Sequence, residues 1–154
     1  MRAPGEDSPG RPAALMWLLT AAFFLRVVGQ ALVAFAGVTF LPPMEEWYSG
    51  LMAYEVLLPA QIAILALMLK INVDVGRGKG FFTEPRRMLG RPLRAFGILY
   101  AAAMVLRYAV TMALHPERRW FGGTIPIVFH FVLAAYLLTL SRYQLGLARD
   151  DRRP

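Results

Sequence analysis

The fold is decided by residues 13–40, which read AALMWLLTAAFFLRVVGQALVAFAGVTF. Arg26 and Gln30 are the strongly polar interruptions in this apolar run. A helix needs about 20 mostly apolar residues to cross the hydrocarbon core of a bilayer. The run therefore predicts a transmembrane helix, and Pro42 and Pro43 predict that it ends before them.

Three further stretches have the same character, namely residues 51–71, 93–114 and 124–145. Gly76 and Gly78 predict the end of the second helix, and Pro116 closes the third. Thr124 is a candidate N-cap for the fourth. Since 57% of the chain is hydrophobic and 18% is charged, the sequence predicts an all-α, integral membrane bundle of four transmembrane helices, forming one domain over residues 13–145.

Lysine and arginine are distributed unevenly between the predicted loops. They crowd residues 72–92 and occur in both tails, whereas the loop after the first span has none. Because cytoplasmic loops of membrane proteins are enriched in these residues, we predict that both termini and loop 72–92 are cytoplasmic. The plasma membrane is the expected location.

Both tails are rich in charge, and their compositions predict no packed structure. Residues 1–12 are expected to be a disordered tail and residues 146–154 a basic one. A cleaved signal peptide is the main alternative for the N-terminus, because Ala34-Phe35-Ala36 resembles a cleavage site. Arg26 interrupts the apolar run and the site lies far along it, so an uncleaved span is favoured.

The net charge of +7 and the absence of cysteine limit the function. Disulfides and thiolate chemistry are excluded. In a membrane protein, the excess of basic residues indicates contact with anionic lipid head groups at loop 72–92 rather than with nucleic acid. The run Gly76–Gly80 does not match a phosphate loop, and Thr83 is expected to start a short interfacial helix through Leu89.

Five polar residues inside the predicted spans form the candidate site. Arg26 and Gln30 share a face near the middle of the first helix. Glu55, Arg107 and His130 lie in the outer halves of the second, third and fourth helices. Residues of this kind normally face the bundle interior and have partners there. Further hydrogen bonds are expected from Tyr54, Gln61, Tyr108 and Thr111.

Pro59 leads to a specific prediction about this cluster. A helical proline frees the carbonyl four residues earlier, which here belongs to Glu55. Arg107 can donate to that carbonyl and to the carboxylate. We therefore predict a Glu55–Arg107 pair, which leaves Arg26 without an acidic partner in the spans.

Haem and metal sites are not predicted, and neither is any other cofactor. Bis-histidine haem ligation requires two histidines at matching height. His115 is expected at the membrane surface, whereas His130 lies about two turns deeper. Two arginines beside His130 also make a cation site unfavourable.

Three functions remain open from the sequence. The favoured one is a binding module or accessory subunit whose polar pocket holds a lipid-like or quinone-like ligand. The alternatives are a small membrane enzyme that uses His130 and Glu55 as acid and base, and a subunit of an oligomeric transporter. No nucleophile or metal motif supports catalysis, and a homo-oligomer or a larger membrane complex is compatible with each function. The polar residues can also serve simply to lock helices together.

Overall fold

The computed structural model describes residues 10–47, 52–84, 87–114 and 124–150, and in these ranges it is helical without strands. Its helices are α1 (Gly10–Ala36), α2 (Met44–Trp47), α3 (Tyr54–Arg77), α4 (Arg87–Leu114) and α5 (Thr124–Asp150), with a 3-10 turn at Phe81–Thr83. The long helices α1, α3, α4 and α5 are each long and apolar enough to cross a membrane. The prediction of four such helices is confirmed, as is an all-α chain.

The helix ends differ from the predicted ones in a consistent way. Helix α1 ends at Ala36, where Gly37 has a φ of +58°, rather than continuing to residue 40. Helix α3 continues past residue 71 until Gly78, whose φ is +62° and whose N–H bonds to the carbonyls of Asp74 and Val75. Both helices thus end where a glycine permits the left-handed cap conformation, and not where the hydropathy of the sequence falls.

The other two long helices also extend beyond their apolar runs. Helix α4 starts at Arg87 and contains Pro92, so residues 87–89 belong to it and not to a separate interfacial helix. Helix α5 reaches Asp150, so the predicted tail is helical over residues 146–150. Helix α1 likewise begins at Gly10, inside the predicted disordered tail.

The buried core is shared by three of the long helices. Helix α1 packs against both α3 and α5. The core side chains are Met16, Phe23 and Val27 of α1, Leu65, Met68, Ile71 and Val75 of α3, and Tyr136 and Leu140 of α5. Helix α4 packs chiefly against α5, and only 6% of its apolar segment is buried, against 39% for α5. The helices therefore follow the order α3–α1–α5–α4.

Two glycines allow α4 to approach α5 closely. A Cβ added at Gly90 would lie 2.9 Å from Cγ of Leu145, and one added at Gly97 would lie 3.0 Å from Cδ2 of Leu138. The hydroxyl of Ser141 also donates to the carbonyl of Gly90 at 2.9 Å. Small residues at such contacts are typical of helix packing in membranes.

A designed disulfide tests this packing. The ideal Cβ position at Gly97 lies 3.5 Å from Cβ of Leu137, within the range of about 3.5–4.5 Å that a disulfide requires. Since the chain has no cysteine, oxidation of the double variant Gly97→Cys/Leu137→Cys is expected to give one intramolecular cross-link, measured as a gel shift reversed by reductant. The pair Gly97→Cys/Leu133→Cys, one turn closer to the start of α5, is the control. Equal cross-linking of both pairs would contradict the packing.

Candidate intramembrane binding site

Arg26 of α1 is the most deeply enclosed basic side chain in the described part of the protein, with 7% of it exposed. Its Nη2 donates to the carbonyl oxygen of Trp47 at 3.4 Å. Its guanidinium carbon lies 5.6 Å from the centroid of the Phe129 ring on α5. Its Nε has no hydrogen-bond partner, and among the described residues no carboxylate pairs with it.

Two glutamines extend the cluster around Arg26. Gln30 is fully buried, and its Nε2 donates to the same Trp47 carbonyl at 3.5 Å. Gln61 of α3 donates from its Nε2 to Oε1 of Gln30 at 3.1 Å. The prediction that Arg26 and Gln30 share one face is confirmed, and Gln61 joins them across the α1–α3 contact. We call Arg26, Gln30, Trp47 and Gln61 the arginine cluster.

Trp47 reaches this cluster because the chain turns back after α1. Its indole covers Gly29, where an added Cβ would lie 2.8 Å from the ring, and its Nε1 donates to the carbonyl of Pro42 at 2.8 Å. Gly29 lies seven residues before the end of α1, which is about 10 Å of helix rise. Trp47 is also the last residue of α2, and a carbonyl at a helix C-terminus needs a partner from outside the helix. Arg26 and Gln30 supply it.

Tyr54 adds a further polar atom near Arg26. Its ring lies 5.9 Å from that of Phe35, and its hydroxyl is buried without a hydrogen-bond partner. This hydroxyl lies within electrostatic range of the Arg26 guanidinium. Oε1 of Gln61 is likewise buried and unpartnered, so the vicinity of Arg26 contains polar atoms from α1 and α3 that protein groups do not satisfy.

His130 and Arg107 form a neighbouring group at the α4–α5 contact. Nδ1 of His130 hydrogen-bonds to the hydroxyl of Tyr100, and the two rings meet edge to face at 5.6 Å. Arg107 is half-buried, and its guanidinium lies within electrostatic range of both His130 and Tyr100. Arg26 acts on His130 as well. The structure thus brings His130 within electrostatic range of both Arg26 and Arg107. Among the described residues, no hydrogen bond joins His130 or Arg107 to the arginine cluster.

The predicted Glu55–Arg107 pair is wrong. Glu55 is exposed on α3, and the ion pair seen within the described residues joins Lys70 to Asp74. Arg107 also makes no hydrogen bond to the carbonyl of Glu55 in these ranges. The helix order accounts for this, because α3 packs on α1 whereas α4 packs on α5. The two helices also run in opposite directions, and since side chains lean toward their own helix N-terminus, Glu55 and Arg107 lean apart.

A second buried polar group lies nearer the Gly10 end of α1 and was not predicted. Nδ2 of Asn72 donates to the hydroxyl of Thr20 at 2.9 Å, and the hydroxyl of Tyr136 donates to Oδ1 of Asn72 at 2.9 Å. The carbonyls of Met16 and Met68 accept further bonds. We call Thr20, Asn72 and Tyr136 the asparagine layer. The available signal was the polar Asn72 just past an apolar run, and the predicted end at residue 71 excluded it.

Some predicted features fall outside the described residues. These are His115, Pro116 and the side chain of Thr124, although α5 does begin at Thr124. Within the described ranges, no three His, Asp or Glu side chains cluster closely enough to hold a metal ion. The arginine cluster presents a buried cation and amide groups, a set suited to holding an oxygen acceptor rather than a metal.

These observations define a class of protein: an all-helical chain with four helices able to span a membrane and a buried, positively charged polar cluster between α1, α2 and α3. Comparisons with protein-family models, with curated proteins and with solved structures found no match. The arginine cluster is therefore the feature of this chain that points to a function.

Proposed function

We propose that the protein is a membrane binding module or accessory subunit that holds a lipid-like or quinone-like molecule by an anionic or carbonyl oxygen at Arg26. One observation carries the proposal. Arg26 is 7% exposed, its Nε is unpartnered, and the acceptor that the described residues give it is a neutral carbonyl at 3.4 Å. Placing an arginine at the centre of a membrane helix costs about 2.5–3.5 kcal/mol on insertion scales.

The asparagine layer is a buried polar group of the same protein with which the arginine cluster can be compared. Each of its side chains bonds to another member of the layer or to a backbone carbonyl. That is the pattern of polar residues that only lock helices together. The arginine cluster differs, because Arg26 and Gln61 each keep an unsatisfied polar atom and no carboxylate of the described ranges neutralises the charge. The contrast supports a ligand at Arg26.

Retention of a co-purifying molecule tests the proposal. Native mass spectrometry of protein purified in mild detergent is expected to show an adduct on the wild type that Arg26→Gln loses, because the amide cannot provide the charge. Tyr136→Phe is the matched control. It removes both bonds of one buried hydroxyl in the asparagine layer, so it perturbs stability but not the adduct. An adduct retained by Arg26→Gln, or a wild type without one, would count against the proposed function.

We also infer that the protein lies in the plasma membrane, with both termini and loop 72–92 on the cytoplasmic side. The basic residues of the loop support this orientation, with anionic head groups as their expected contacts. Lys79 follows α3, whereas Phe40 lies in the segment after α1 and is 83% exposed. In intact cells an impermeant maleimide is expected to label Phe40→Cys and to spare Lys79→Cys until the membrane is opened. The reverse labelling pattern would invert the topology.

A further inference from the structure

In the described part of the chain, the groups that surround Arg26 carry no negative charge. Helix α1 contributes the amide of Gln30, α2 the carbonyl of Trp47, and α3 the amide of Gln61. Helix α5 contributes the ring of Phe129, and His130 lies within electrostatic range. Among the described residues, none of these elements brings a carboxylate to the guanidinium.

Loss of a proton does not remove the buried charge of Arg26. Its guanidinium remains charged in proteins, unlike lysine, histidine or the carboxylic acids. A buried charge needs a counter-charge and hydrogen bonds to be tolerated. The Trp47 carbonyl and the Phe129 ring provide partial charges only, and the carbonyl is shared with Gln30. A second neutral acceptor would satisfy Nε but would leave the charge unbalanced.

We infer that the ligand at Arg26 is an anion, carried as a carboxylate or phosphate on a lipid-like molecule, and not a neutral quinone. This inference rests on the proposed function and narrows it. An anionic oxygen on Nε makes a hydrogen bond in which donor and acceptor are both charged, and unlike a quinone carbonyl it also supplies the counter-charge that the buried guanidinium needs. The same anion neutralises the charge of Arg26, which lies within electrostatic range of His130.

Three probes separate the possible ligand classes. The protein is first stripped by detergent exchange and placed in nanodiscs of neutral phosphatidylcholine. Oleate, decylubiquinone and inorganic phosphate are then added separately, and binding is measured on wild type, Arg26→Gln and Arg94→Gln. Arg94 is an exposed arginine of α4 and serves as the charge-matched control. We expect oleate to bind at least about tenfold more weakly to Arg26→Gln, equivalent to about 1.4 kcal/mol, and equally well to wild type and Arg94→Gln.

The outcomes distinguish this inference from the proposed function. Arg26-dependent binding of decylubiquinone without that of oleate overturns the anion and leaves the binding function standing. Binding of phosphate but not oleate keeps the anion and removes the lipid-like part. If no probe binds in an Arg26-dependent way, both the inference and the proposed function fail.

Discussion

Replacing Arg26 with methionine is expected to stabilise the ligand-free protein by about 1–3 kcal/mol while abolishing retention of the ligand. Methionine fills a similar volume and removes a buried charge that no described carboxylate balances. The bond lost is the long one to the Trp47 carbonyl, which keeps its bond from Gln30. The measurement is a denaturation midpoint in neutral detergent, recorded with and without added oleate. Oleate is expected to raise the midpoint of the wild type and not that of the variant.

Asn72→Leu is the control for this prediction, because it makes a similar change in the asparagine layer. Removing the amide takes a partner from both Thr20 and Tyr136, so this variant is expected to lose stability by roughly 1–2 kcal/mol, at about 0.6 kcal/mol per membrane hydrogen bond plus the imperfect fit of the new side chain. If Arg26→Met is destabilised as much as Asn72→Leu, Arg26 is a structural lock and the binding proposal loses its main support.

The membrane-spanning helices can be predicted from the sequence. The contacts that give these two variants opposite expected effects on stability cannot. A run such as residues 13–40 has one stable solution in a bilayer, so the four spans follow from composition. The extent of each helix does not. Hydropathy falls at Asn72 and Asp74, yet α3 continues because the side chain of Asn72 finds partners on α1 and α5. Such partners become visible only when the helices are packed.

The sequence likewise predicts only part of the candidate site, because the remaining contacts depend on how the helices pack. The spacing of Arg26 and Gln30 gives a shared helix face directly. The order α3–α1–α5–α4 leaves no comparable trace in the sequence, so complementary charges on Glu55 and Arg107 suggested a pair that helix order prevents. The acceptor that Arg26 uses is a backbone carbonyl, and every residue has one. The local signal was Gly29, the small residue that lets Trp47 approach.

Gly29→Leu is accordingly expected to have a large structural effect. The ring of Trp47 lies 2.8 Å from where a Cβ would be placed, so a leucine must push the indole off α1. Overpacking of this kind costs about 1–3 kcal/mol, and here it also withdraws the Trp47 carbonyl from Arg26 and Gln30. In a Trp17→Phe/Trp120→Phe background, where Trp47 is the remaining tryptophan, quenching of its emission by acrylamide is expected to increase several-fold.

Gly76→Leu is the matched control, since Gly76 also lies in a helix but has no atom within 4 Å of its added Cβ. Its stability and tryptophan quenching are expected to match those of the parent protein. Equal quenching in Gly29→Leu and Gly76→Leu would mean that Trp47 does not rest on Gly29. In that case the Trp47 carbonyl would not be fixed beside Arg26, and the arginine cluster would lose the acceptor that Arg26 and Gln30 share.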